Sequence, residues 1–365
     1  MGRCKLEEFI SYEQPTKYIV DSDQYDDSYK IPVLTAGKSF ILGYTDEKNN
    51  IFDNLPVIIF DDFTTSVQFV DFPFKVKSSA MKLLKNTEQA DIKYCYYLLK
   101  FLQHTPENHK RQWLSATSQN IVELPIIEKQ KNIVRKLDKI LEVIDNQNKQ
   151  LELLDEAIKA RFVEMFGDEN NSKGWEIVNI EDVANVQVGV VIKPSQYYTD
   201  QYNGIKAFRS LNIGDGYIKD DDWVYFSKEG NKKNKKSILS TNDVLVVRSG
   251  APGTACVVTS EYAGSNAIDV IIAHPDFQKV DSRYLCTYTN MPHGKSQIIE
   301  GTGGAAQQHF NVGKYNKLKL MLPPLEYQKQ YVKFLEEIDK SRSRIQKSLE
   351  ASQELFDSLM QEYFG

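Results

Sequence analysis

Two stretches of the chain carry apolar residues at alternating spacings of four and three, the pattern of a helix that hides one narrow seam. In the first, the seam is Ile133, Leu137, Ile140, Ile144, Gln147, Leu151, Leu154, Ile158, Arg161 and Met165. In the second it is Tyr331, Leu335, Ile338, Arg342, Ile345, Leu349, Ser352, Phe356, Leu359 and Tyr363, with polar interruptions at Arg342 and Ser352. Neither Gly nor Pro occurs between Pro125 and Gly167 or between Pro324 and Gly365, so each helix is predicted to run for about 40 residues, ~60 Å. The two are copies. Residues 124–167 align without a gap to 322–365 at an offset of 198, with 15 identities in 44 positions, where about 3 are expected from ordinary composition. Leu-Pro-Ile-Ile-Glu-Lys-Gln-Lys from Leu124 matches Leu-Pro-Pro-Leu-Glu-Tyr-Gln-Lys from Leu322, and Phe166-Gly167 matches Phe364-Gly365. Two matched helices in one chain most simply pack on each other as a coiled coil, their polar seam residues helping to fix the register. Helices that bind a partner instead are the competing reading.

Before each helix the periodicity changes to short strand-like runs. In residues 1–123 these are Ile31–Thr35, Pro56–Phe60 and Val67–Phe72, with a helix-like stretch at Ala90–Gln103. In 168–321 they are Val186–Ile192, Val244–Arg248, Ala255–Thr259, Ile268–Ala273 and Lys317–Leu322, with a helix predicted around Arg283–Asn290. The expected order is α/β globule (1–123), long helix (124–167), α/β globule (168–321), long helix (322–365), which is an α+β chain built on a pseudo-two-fold repeat. Leu6-Glu7-Glu8-Phe9-Ile10 beside Ile180-Glu181-Asp182-Val183-Ala184 indicates that both globules begin alike. Diverged globules on a matched scaffold point to two different ligands.

With 365 residues, 41% of them hydrophobic, the chain is long enough for two or three folded units. Its net charge of −5 excludes a generally basic protein that coats nucleic acid without regard to sequence, and leaves room for a local basic face. No apolar run approaches the ~20 residues of a membrane span, and Met1–Ile10 lacks the regions of a signal peptide, so no membrane partner and a cytoplasmic location are expected. Cys4, Cys95, Cys256 and Cys286 are isolated, which writes neither a zinc knuckle nor a disulfide framework and predicts reduced, mostly buried thiols.

Candidate active-site motifs fail on inspection. Gly37-Lys38-Ser39 and Gly294-Lys295-Ser296 have Pro32 and Thr289 where a phosphate loop needs glycine. Gly301 to Ala306 fits the loose dinucleotide pattern, but no helix of sufficient length or acid ~20 residues on follows, and a flexible loop is expected. The Pro-Pro pair of Leu322-Pro323-Pro324-Leu325 lacks the Asn or Asp of an amino-methyltransferase and reads as a helix entry. Pro275-Asp276 lacks the following acid-x-Lys of a metal-dependent nuclease, and His104, His109, His274, His293 and His309 show no ligand spacing. No catalytic residue and no metal ligand is expected.

At the repeated L-P-x-x-E-x-Q entry, followed by a long helix that ends in Phe-Gly, the sequence resembles the specificity (S) subunits of type I restriction-modification enzymes. The resemblance covers the whole chain and includes Phe208 to Ile213 and Asn242 to Gly250 in the second globule and Pro56 to Thr64 in the first. It implies a non-catalytic subunit with two target recognition domains, each reading half of a split duplex DNA sequence. It also implies that the two helices form an antiparallel coiled coil, which acts as a ruler and docks two methyltransferase subunits. Restriction/translocase subunits would complete the complex. This chain would need no cofactor of its own, while partner subunits would use S-adenosylmethionine, ATP and Mg. Ile126 replaces the second proline of the family's entry, and Ser118-Gln119 compresses the approach to it.

The charge balance supports DNA binding unevenly. Residues 171–325 hold 17 Lys+Arg and 15 Asp+Glu, whereas residues 1–127 hold 14 and 17. Lys228, Lys232, Lys233, Lys235 and Lys236, interrupted by Gly230, Asn231 and Asn234, read as an exposed loop suited to phosphate. Arg248-Ser249-Gly250 ends a strand at a turn, where arginine can fork onto a guanine edge, and Arg209 lies in the family-like Phe208–Ile213 segment. Gln307, Gln308, His309 and Asn311 place adenine-reading amides in a glycine-rich stretch. In the first globule the analogous candidates are Lys38 and His109-Lys110-Arg111 beside Trp113. Two other classes compete: an enzyme with its own chemistry, which needs the motifs that fail, and a coiled-coil scaffold without sequence-specific DNA reading, which leaves two globules without a task.

Overall fold

The computed structural model describes residues 2–37, 39–106, 110–302 and 310–365, with the side chains of 301 and 302 left aside. The chain divides into two compact units, Met1–Lys149 with Gln346–Gly365, and Gln150–Ile345. Each unit therefore owns the beginning of one long helix and the end of the other.

In the first unit β1 (Gly2–Lys5) pairs antiparallel with β9 (Ile121–Leu124), so the globule starts and finishes side by side. A 3-10 turn at Leu6–Glu8 leads into a four-stranded sheet, in which β2 (Ile10–Glu13), β8 (Met81–Asn86), β5 (Val57–Asp61) and β6 (Val67–Val70) are neighbours in that order. A second sheet holds β4 (Ile41–Thr45), β3 (Ile31–Leu34) and β7 (Lys75–Val76), with β3 and β7 parallel. Two helices, α1 (Ile92–Phe101) and α2 (Gln112–Ser115), precede the long helix α3 (Ile127–Phe166).

The second unit repeats this plan. β10 (Glu176–Asn179) pairs with β19 (Lys319–Leu322), and a 3-10 turn at Ile180–Asp182 follows. One sheet orders β11 (Ala184–Val188), β18 (Val270–Pro275), β15 (Val244–Val247) and β16 (Ala255–Val257). The other orders β12 (Tyr198–Thr199), β14 (Val224–Phe226), β13 (Ile205–Phe208) and β17 (Asn266–Ala267), with β13 and β17 parallel. Helices α4 (Lys228–Lys233), α5 (Ser282–Asn290), α6 (Pro292–Thr302) and α7 (Val312–Asn316) lead to α8 (Leu325–Phe364). The two openings do match: in both 3-10 turns the carboxylate of the third residue caps the start, with Glu8 accepting from the Lys5 N–H and Asp182 from the Asn179 N–H.

The heptad seams are where the periodicity puts them, and none of their twenty positions is exposed. Within the first unit Gln147 donates to Ser348 and Lys136 to Tyr363; within the second, Arg342 pairs with Asp155 and Tyr331 donates to the Ile158 carbonyl. These pairs run in opposite chain directions, so the helices are antiparallel in each unit. The helix ends also bury aromatics outside the seam. Phe162 and Phe166 pack on Tyr284 of α5, and Phe364 packs on Tyr94 of α1.

Three local expectations are corrected. The lysine-rich segment Lys228–Lys236 is helix α4 followed by a 3-10 turn at Lys235–Ser237, not an open loop. Ser227 caps it by accepting from the Gly230 N–H, and Gly230 serves close packing, since a Cβ there would lie 2.7 Å from Tyr197 Cβ. The predicted strand Val186–Ile192 stops at Val188, because the chain then turns to the Ala267 carbonyl, which accepts from the Val190 N–H, and Gly189 permits the approach, since a Cβ there would sit 2.4 Å from that oxygen. Pro324 lies just outside α8 rather than in its first turn, and its carbonyl accepts from the Tyr327 and Gln328 N–H groups. Ile126 does the same for Lys129 and Gln130, so the missing proline costs the first copy no cap. Gly301 and Thr302 close α6, and the rest of the Gly301–Ala306 run lies outside the described residues. Cys95, Cys256 and Cys286 are buried free thiols and Cys4 is half-buried. Among the described residues no helix is long and apolar enough to cross a membrane.

Candidate nucleic-acid interface

The repeated glutamine of the L-P-x-x-E-x-Q entry explains how each globule is set on its helix. Gln130 is fully buried; its Oε1 accepts from the Asp91 N–H at 2.8 Å, and its Nε2 donates to the carbonyls of Gln89 at 3.0 Å and Pro125 at 2.7 Å. Gln328 repeats this with the Asp281 N–H at 2.8 Å and the carbonyls of Lys279 at 3.1 Å and Pro323 at 2.9 Å. Asp91 and Asp281 are themselves the N-caps of α1 and α5. One buried amide thus ties a globule helix to the start of a long helix, in the same way twice.

In the second unit the candidate residues converge on the segment Gly264–Asp269. Asn266 is fully buried, donates to Asn231 Oδ1 at 2.7 Å and accepts from Ser237 Oγ at 2.7 Å, which fastens α4 and the turn after it to β17. Lys228, Lys232, Lys233, Lys235 and Lys236 are all exposed on that anchored element. Lys233 pairs with Glu229 at 3.0 Å, while among the described residues Lys232, Lys235 and Lys236 have no ion-pair partner.

Two residues beyond Asn266, the Ile268 N–H donates to the Phe208 carbonyl, which brings Arg209 alongside. Arg209 is held by Asp222, its Nη2 lying 3.1 Å from the carboxylate. Asp269, in the left-handed region at φ 50°, forms an ion pair with Arg248. Arg248 is mostly buried; its Nε donates to the Phe310 carbonyl at 3.2 Å, and its own carbonyl accepts from the Phe310 N–H at 3.1 Å. Ser249 beside it is half-buried. Asn311 is exposed and caps α7, accepting from the Lys314 N–H at 3.0 Å. Arg248, Asn311 and Arg209 are therefore brought together, but each already has structural work: two donors of the Arg248 guanidinium and the Asn311 carbonyl oxygen are engaged within the fold. Gln307, Gln308 and His309 lie outside the described residues. Lys206 donates to Asp220 at 2.6 Å and stands over the rings of Trp223 and Tyr262 at 4.8 and 4.9 Å; its bond and those of Trp223 and Tyr262 hold the Asp220 carboxyl below the usual range.

The first unit builds the matching place from different side chains. The Asp62 carbonyl accepts from the Gln112 N–H at 2.8 Å, as Arg248 does from Phe310, and the offset from Gln112 to Phe310 is again 198. The buried charge has the opposite sign. Asp62 pairs with Lys82 at 3.1 Å, both essentially inaccessible, and accepts from the Trp113 N–H at 2.9 Å. Trp113 is buried edge-on against Phe60, and Lys110 and Arg111 are exposed immediately before α2. Lys38 and His109 lie outside the described residues.

One globule plan used twice, with a repeated long helix after each copy, defines the class: a specificity-subunit architecture of type I restriction-modification systems. The fold is shared with a crystal structure of the system's S subunit from M. genitalium, with a TM-score of 0.63 at 13% identity over 100% of this chain and 96% of that one. A second structure, from work titled as the structural basis of complex assembly and conformational transition of the type I system, gives 0.60 at 14% identity, covering 100% and 97%. Residues 172–353 match the family described as the type I restriction modification DNA specificity domain, and the chain belongs to that family. It is 49% identical over 147 residues to the specificity subunit of the Escherichia coli type I restriction enzyme EcoR124I/EcoR124II, a match that spans 37% of this chain and 36% of that subunit. To the MjaVIII specificity subunit of Methanocaldococcus jannaschii it is 22% identical over 365 residues, covering 92% of this chain and 85% of the relative.

Proposed function

We propose that the chain is the non-catalytic DNA-specificity subunit of a type I restriction-modification enzyme, reading a split duplex sequence with one globule per half. The observation that carries this reading is the duplicated place at Asp62 and Arg248. The same backbone bond is made in both globules, while the side chains mounted on it differ, a buried Asp62–Lys82 pair in one and an Arg248–Asp269 pair in the other, so the scaffold is fixed and the chemistry it carries is free to differ. Lys232, Lys235 and Lys236 supply cations for phosphate, and the exposed Lys110 and Arg111 contact phosphate in the first globule. Arg248, Ser249, Arg209 and Asn311 form the wall beside which bases are read. The paired helices dock two methyltransferase subunits, and restriction/translocase subunits join them in the full complex. S-adenosylmethionine, ATP and Mg serve those partners, and the complex works in the cytoplasm.

The test is binding-site selection. The tagged chain, purified from its source cells with its bound partners, is offered a randomised duplex pool. Two short conserved blocks separated by an unconserved spacer of fixed length are expected; a single contiguous block, or no consensus, contradicts the proposal.

A further inference from the structure

The internal repeat supplies a control for every surface residue, since a side chain needed only for folding should recur at the matching place. At one place the two globules differ in a way that folding does not explain. In the first, the Val20 N–H donates to the Val76 carbonyl at 3.0 Å, and Val76 pairs with Leu34. In the second, the Val190 N–H donates to the Ala267 carbonyl at 2.7 Å, and Ala267 pairs with Phe208. The residues that follow are Asp21 and Ser22 in one copy, both exposed, with their N–H groups on Glu47 at 2.9 and 3.1 Å. In the other they are Val191, 50% exposed, and Ile192, 79% exposed. Three residues beyond the paired positions, Gly37 is matched by Leu211, which is 59% exposed.

Three large apolar side chains thus stand in water on one globule where the same scaffold carries polar residues or none on the other. Val190 bridges Ile268 in parallel, and β13 is parallel to β17, so the segments ending in Ile192 and Leu211 leave the sheet at the same end, beside Asp269 and its partner Arg248. The exposed Lys193, also in the left-handed region at φ 43°, follows Ile192 directly, and the lysines of α4 are fastened to the same segment through Asn266. An apolar tip bracketed by cations suits a polyanion with apolar edges inside it. Duplex DNA has that chemistry, and in its major groove the apolar group is the 5-methyl of thymine.

We infer that Ile192, supported by Val191 and Leu211, reads a thymine methyl in the half-site of the second globule. This rests on the DNA-reading proposal above. The same selection on the intact complex, made with Ile192→Ser, which installs the residue that the first globule has, tests it. A T·A preference is expected to vanish in one half-site while the other half-site stays unchanged. With wild-type complex, deoxyuridine at that position should weaken binding about four-fold, the worth of one buried methyl, and have no effect on Ile192→Ser. An unchanged consensus, or a uniform loss of binding at every sequence, overturns the inference while leaving DNA reading standing. Failure of the wild-type complex to select any consensus overturns the reading itself. Leu211→Ser serves as a second variant, and unaltered thermal unfolding of both checks the fold.

Discussion

Gln130 and Gln328 show what a repeated residue in a motif can mean physically. Each is buried with three of its amide positions satisfied by backbone, so truncation strands a buried N–H and two carbonyls. Gln130→Ala and Gln328→Ala are each expected to destabilise the protein by about 1–3 kcal/mol in denaturant unfolding; a change of a few tenths would show that water replaces the amide. The motif itself was legible in the sequence, but its role was not, because the partners Asp91 and Asp281 lie 39 and 47 residues away and meet the glutamine only after the globule has folded. Arg248 teaches the converse. Its type and its place after a strand were readable, yet its ion pair with Asp269 and its bond to Phe310 depend on long-range contacts that no local pattern encodes.

At the scale of elements, the long helices were the most readable part, since a seam of twenty positions averages over single-residue exceptions such as Gln147 and Arg342. Phe162 escaped the seam because its ring is shared between Tyr284 of α5 and Tyr331 of the partner helix, and the α5 contact has no local signal. Helix α4 was misread for a similar reason: Gly230 and Asn231 look like helix breakers locally, but one packs on Tyr197 and the other bonds with Asn266. That correction sharpens a prediction. A helix and turn anchored at Asn231 and Ser237 present their lysines in a fixed geometry, so Lys232→Ala with Lys236→Ala should weaken cognate and unrelated duplexes alike and lower the slope of log affinity against log salt by about two. Loss confined to one sequence would mean that these lysines read bases instead. The parallel pairing of β13 with β17, and of β3 with β7, had no sequence signal, as the strands at β17 and β7 are two residues long.

For the whole molecule, the offset of 198 announced a duplication in the helices, and the structure extends it to the globules, whose sequences have diverged while strand order, 3-10 openings and capped helices persist. The central claim is that two readers on one helical pair recognise a split site whose spacing the helices set. Each helix passes from one unit to the other near the Gln147–Ser348 bond. Seven residues inserted after Lys149 and after Ile345 keep the heptad phase, leave both units whole, and add ~10 Å of helix, about three base pairs. Site selection with the wild-type and lengthened complexes is the most direct measurement. The account predicts identical half-sites and a spacer longer by about three base pairs; an unchanged spacer in a well-folded variant would contradict it.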